Sequence, residues 1–204
     1  MSFPNCDNRS NPNNRKNLAS AYTITPVAHT KLLPGQELKG CCGPITRECY
    51  TFSYQNNSNA TDNGLFSVGS HCAQDFLSGK AAPPCFNPLS STSGGGGGTV
   101  TGANAPTMCA LNLEVYQAIN LLTLDWGPPK ASLQAILTAI VSAPTTAIAS
   151  NHVIHLNNII GKDSKGRTLT AIITALRVTH PTLRNFTFPN IQTLLSNAKR
   201  PSKF

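Results

Sequence analysis

CCGPITRECYTFSY, residues 41–54, runs through a polar loop into GLFSVGSHCA, residues 64–73. This stretch holds four of the chain's seven cysteines and one of its five histidines. Tyr50, Phe52 and Tyr54 alternate with Thr51 and Ser53, which is the period of a half-buried strand. Residues 65–68 read as a second short strand, so the pair predicts a hairpin with a long, turn-rich loop. Ser70 suits a helix N-cap and predicts a short helix from His71 that ends by Ser78-Gly79.

The cysteines in this stretch have the chemistry of a metal site. Zinc takes four tetrahedral sulfur or nitrogen ligands, and a preformed turn lowers the chain-entropy cost of gathering them. Cys42 and Cys49 bracket a Gly43-Pro44 turn. Cys72 falls in the first turn of the predicted helix, where the helix dipole favours a thiolate. The expected ligands are Cys42, Cys49, His71 and Cys72, with Asp75, Cys41 and Cys85 as other candidates for the fourth place. Four protein ligands leave no vacancy for water, so the expected Zn2+ is structural and not catalytic. An odd number of cysteines and the absence of an apolar leader point instead to a reducing, cytoplasmic setting without a complete disulfide framework.

Turn, hairpin and helix-borne ligand, taken in that order, resemble a treble-clef zinc module over residues 41–80. The likeness is closest at Gly69-Ser-His-Cys72-Ala. The spacing between the first two cysteines is six residues where that group has two, and Asp75 stands where its second helix ligand would be. The resemblance implies a small metal-organised fold of the kind that commonly contacts nucleic acid or protein.

Outward from this module the chain changes character. Residues 1–20 are rich in Asn and Pro and read as an unstructured basic arm carrying Arg9, Arg15 and Lys16. Residues 21–88 form the predicted zinc-bound module, which opens with a short apolar stretch, Tyr22 to Leu33, leading to a Pro34-Gly35 turn. Residues 89–106 contain five consecutive glycines and read as a flexible linker. From 107 onward the apolar spacing is helical. Leu111, Val115, Ala118, Ile119 and Leu122 make one face; Leu133, Ile136, Leu137, Ile140 and Val141 another; Val153, Leu156 and Ile160 a third. Leu169, Ile172, Ile173 and Leu176 make a fourth, and Pro189 opens a last helix with Ile191, Leu194 and Leu195. The tail AKRPSKF reads as frayed. The predicted fold class is α+β: a small zinc-bound β-hairpin and helix module followed by a small all-helical domain over 107–204.

Lys and Arg number 16 against 8 Asp and Glu, a net charge of +8. Such an excess suits polyanions. Arg9, Arg15, Lys16, Lys162, Lys165 and Arg167 are the candidate phosphate contacts. The run Gly161 to Thr168 is close to a phosphate-binding loop but lacks its lysine at Arg167, so it reads as a charged turn between helices. No run of apolar residues is long enough to span a membrane. The expectation is a non-enzymatic zinc-containing protein that binds nucleic acid or a nucleoprotein assembly. The alternatives are a protein-interaction subunit without nucleic-acid contact, and a metal-dependent nuclease or hydrolase using His152, His155 and His180.

Overall fold

The computed structural model describes Phe3, Cys6 and residues 13–89 and 107–204. The expected linker lies outside the described residues apart from residue 89. The chain is α+β, as predicted. Helix α1 (Asn14–Ala21) leads into strand β1 (Tyr22–Lys31). A ribbon of β2 (Leu38–Gly40) and β3 (Gly43–Ile45) precedes the hairpin β4 (Glu48–Asn56) and β5 (Asn63–Gly69). Helix α2 (Ser70–Leu77) and the short strand β6 (Cys85–Phe86) complete the first half. The second half holds α3 (Ala110–Trp126), α4 (Gln134–Ser142), α5 (Ser150–Ile160), α6 (Leu169–Thr179) and α7 (Pro189–Asn197).

The main sheet has the order β5-β4-β1-β6, with β6 parallel to β1 and the rest antiparallel. Pro26 lies in β1, an inner strand, where a missing N–H would normally break the ladder. The register shifts between Pro26 and Ala28, so the proline sits at a bulge. Such a bulge also resets which face the side chains take. Tyr22 and Ile24 join an aromatic cluster on one face, while Val27 and Ala28 join the helical core on the other.

Both faces of the sheet are therefore covered. On one, Phe52, Tyr54, Phe66 and Val68 pack with Phe3 and with Ala73 and Phe76 of α2. On the other, Val27, Leu33, Cys49 and Phe86 share one continuous core with α3 to α7. Residues 81–88, beside the expected linker, are part of that core: Pro83, Pro84, Phe86 and Pro88 are buried. The sheet and the helices thus share one apolar core, while the aromatic cluster on the other face is built from the first half alone.

Helix α3 runs through the middle and is buried on nearly every side. Its polar residues join the layers. The Tyr116 hydroxyl accepts from the His29 N–H at 2.9 Å and donates to the Pro84 carbonyl at 2.7 Å. Asn120 accepts from the Thr30 hydroxyl. Asn112 donates to the carbonyls of Ala143, Pro144 and Thr146 and accepts from the Ile148 N–H, which fixes the loop before α5. Glu114 accepts from the N–H groups of Asn190 and Ile191 at the start of α7. There a carboxylate meets the positive end of the helix dipole.

Two segments predicted to lack structure have it. Asn14–Ala21 is helical where a loose arm was expected. Leu18 packs on the aromatic cluster and Arg15 pairs with Asp75 of α2, so tertiary contact supplies what the Asn-rich sequence lacks. The C-terminal segment is ordered because Phe204 is buried against Phe188, with ring centroids 5.5 Å apart.

Replacing Tyr116 with Phe removes the hydroxyl that partners both the His29 N–H and the Pro84 carbonyl. Chemical denaturation should show a loss of about 1–3 kcal/mol, the usual cost of stranding buried polar groups. His29 supplies a second test. Burial lowers its pKa below the ordinary 6.5, with Glu48 opposing in part. The unfolded chain therefore takes up this proton more readily, so stability should decline as pH falls through and below 6.5, and His29→Gln should flatten that part of the profile.

Candidate metal centre

The ribbon β2–β3 closes with Gly40 opposite Gly43, so Cys41-Cys42 is its two-residue turn. Both glycines are required by geometry. Gly43 has φ +119°, which side chains rarely adopt, and a Cβ on Gly40 would stand 2.7 Å from Ile45 Cδ1. The expected Gly43-Pro44 turn is therefore shifted by two residues: Gly43 and Pro44 begin the return strand. The Cys41 N–H donates to the Ser67 carbonyl at 2.7 Å, which holds the turn against β5 just ahead of α2.

Cys6 reaches the same point from the N-terminal side. Phe3 carries it there, because its ring stacks on Phe66 at 3.9 Å and meets Tyr22, Tyr54 and Phe76 edge-on or tilted. Cys6 is buried and forms a disulfide with Cys42. Its backbone N–H donates to Cys41 Sγ at 3.3 Å. The sulfurs of Cys6, Cys41 and Cys42 all lie within 4.8 Å of one another, close enough to hold a metal ion. Among the described residues they are the one group of three or more Cys, His, Asp or Glu ligand atoms so gathered. A hollow between Glu37, Lys39 and Pro44 opens beside the two turn cysteines.

The other expected ligands separate. Cys72 lies in the first turn of α2 and packs, half-buried, against the same aromatic cluster as Cys6, Cys41 and Cys42. His71 is exposed and outside the thiol group. Cys49 belongs to the core on the opposite face of the sheet. Burial pushes its thiol up to about 11, against smaller opposing effects from Ser67 and Thr51. The strand period explains this: Cys49 alternates with Tyr50 and so points away from the aromatic side. Asp75 is engaged by Arg15. Cys85 pairs with His29 in the sheet, and burial followed by the nearby Glu48 raises its thiol to about 11. Neither Cys49 nor Cys85 carries a thiolate at neutral pH.

Cys6 was missed because it lies in a polar segment, 35 residues before Cys41. The signal available was Phe3, a lone aromatic that has no reason to sit in a solvated arm. The glycines flanking Cys41-Cys42 likewise marked a tight turn.

The candidate phosphate contacts also separate. Arg9 lies outside the described residues. Arg15 is paired with Asp75. Arg167 is bound to both Asp125 and Asp163, and its hydrogen bonds hold the Asp163 carboxyl well below the usual range. Lys16, Lys162 and Lys165 remain exposed. His152, His155 and His180 do not gather into a metal-binding group among the described residues; His155 Nε2 lies 3.2 Å from the Ser132 carbonyl. No helix of the described residues is long and apolar enough to cross a membrane.

Fold and site define an α+β protein in which a cysteine turn on a small ribbon is bound to an N-terminal segment over an aromatic cluster. The chain belongs to the family described as uncharacterised conserved protein UCP028583, whose model matches residues 7–203. No match was found among curated proteins or solved structures.

Peptide mapping of protein alkylated without reductant should recover the Cys6–Cys42 pair. The bond spans 36 residues, for which loop-closure entropy sets a limit of about 4 kcal/mol. Gly43→Ala should displace the turn and lower the yield of that pair, whereas Gly69→Ala, where a Cβ meets nothing, should leave it unchanged.

Proposed function

We propose that this is a non-enzymatic, zinc-containing basic protein that binds nucleic acid or a nucleoprotein assembly. The zinc is structural and lies at the ribbon turn, held by Cys6, Cys41 and Cys42; Cys72 of α2, which packs on the same aromatic cluster, is the candidate for the fourth place. The gathering of three sulfurs within 4.8 Å carries this reading. Thiolates are the ligands zinc prefers in closed sites, and the Cys6 N–H directed at Cys41 Sγ stabilises negative charge on that sulfur. The ribbon turn and the start of α2 meet the same aromatic cluster, through Cys41, Cys42 and Cys72, which supports a metal site between them. Metal and disulfide are alternatives at this site, since Cys6 and Cys42 cannot ligate while bonded to each other.

The net charge of +8 supports the polyanion half of the reading. Val178 is the one large apolar residue exposed among the described residues, which leaves little apolar surface for an obligate protein partner. The aromatic residues of β4 are engaged within the protein. Phe52 and Tyr54 are buried and Tyr50 stacks on His29 at 3.9 Å, so contact with nucleic acid falls to the cations.

Elemental analysis of protein purified under reductant should give about one zinc per chain. Cys6→Ser and Cys42→Ser should each lose it, Cys49→Ser should retain it, and oxidation to the Cys6–Cys42 disulfide should release it. Absence of metal from the reduced protein would overturn the zinc assignment. Retention on heparin or RNA should fall steeply with salt, and no retention at low salt would overturn the nucleic-acid assignment.

A further inference from the structure

The turn between α5 and α6 and the segment after α7 are far apart in sequence, but the structure places them together. Asn157 of α5 donates to the Pro201 carbonyl and accepts from the Lys203 N–H at 2.8 Å. The Leu169 N–H at the start of α6 donates to the Lys203 carbonyl at 2.7 Å. The Lys203 side chain lies against Gly161, with its Cε 3.5 Å from where a Cβ would stand. Lys162 follows directly and Lys165 completes the turn; both are exposed, as are Lys199, Arg200 and Lys203. The acids nearby are Asp125 and Asp163, and both are taken up by Arg167. Lys162, Lys165 and Lys203 are thus brought to one region, and Lys199 and Arg200, just ahead of Pro201 in the chain, are exposed beside it in sequence.

Lys199 adds an independent sign. Its φ is +52°, in the left-handed region that usually ends a helix with glycine. The Arg200 N–H donates to the Leu195 carbonyl and so completes the helix stop. A lysine there costs backbone energy that glycine would not, and among the described residues none hydrogen-bonds or ion-pairs with its side chain.

We propose that Lys162, Lys165, Lys199, Arg200 and Lys203 form a single edge that tracks the phosphate backbone of double-stranded nucleic acid. This rests on the polyanion reading above and names its surface. Single strands are held largely by stacking on exposed aromatic rings, and among the described residues this edge has none, the nearby Trp126 being half-buried and tied to Asp163. Recognition through phosphates alone is independent of sequence and strongly dependent on salt.

The test is binding of a short DNA duplex of arbitrary sequence to the full chain over a series of salt concentrations. The variant Lys162→Gln/Lys165→Gln/Lys203→Gln should weaken binding at least about tenfold and reduce the salt slope by about 3. The charge-matched control Lys31→Gln/Lys39→Gln/Arg47→Gln should change both far less. Lys199→Gly should weaken binding while raising the melting temperature, which separates loss of contact from loss of fold. Equal losses in the two triple variants would overturn the edge and leave a diffuse charge effect. A preference for single strands over duplex would overturn it as well. Failure of the unmodified protein to bind any polyanion would instead overturn the reading on which the edge rests.

Discussion

The Tyr116 hydroxyl is the point through which the two halves of this protein are joined. It accepts a hydrogen bond from a strand N–H and donates one to a carbonyl in the segment that follows α2. Both groups are buried, so neither has water as an alternative partner, and the helix must hold this position for the sheet to close. Asn112 and Glu114 extend the same arrangement along α3, each satisfying backbone groups of a different segment, while Asn120 donates to the Tyr116 carbonyl within α3 and accepts from the Thr30 hydroxyl of β1. A helix with polar residues on several sides usually faces solvent. Here those residues serve as internal supports, and the apolar surface between them fills one shared core.

That arrangement determines what the cysteine turn can do. The sheet's second face is built of aromatic rings, and Phe3 inserts its own among them. Once Phe3 is placed, Cys6 has little choice of position and meets Cys41 and Cys42. The thiol cluster is thus a consequence of aromatic packing as much as of the cysteines themselves. A metal ion or a disulfide at this point ties the N-terminal segment to the ribbon, and the ribbon to β5 through Cys41 and Ser67.

The distribution of charge follows from the same frame. Arg15 and Arg167 are drawn into internal ion pairs, which brings α1 to α2 and anchors the turn before α6 to the end of α3. The Trp126 indole donates to Asp163 at 2.9 Å and braces that turn from the other side. Lysines carry no such duties there and remain on the surface. Arginine's planar donors suit two carboxylates at once, while lysine's single ammonium stays solvated at little cost.

Local pattern made much of this legible. The alternation in Tyr50-Thr51-Phe52-Ser53-Tyr54 marked a strand, the Asn-rich loop a hairpin, and Ser78-Gly79 the end of a helix, because each depends on neighbours a few residues away. The apolar spacings of α3 to α7 were likewise visible, since a helix that packs must repeat every three to four residues. Only the folded chain decided which cysteines meet. Cys49 lies seven residues from Cys42 yet faces the opposite side of the sheet, and Cys6 lies 36 residues away yet bonds to it. Sequence distance sets the entropy of bringing two sulfurs together, but the face of a strand and the anchoring of one aromatic ring set whether they can touch.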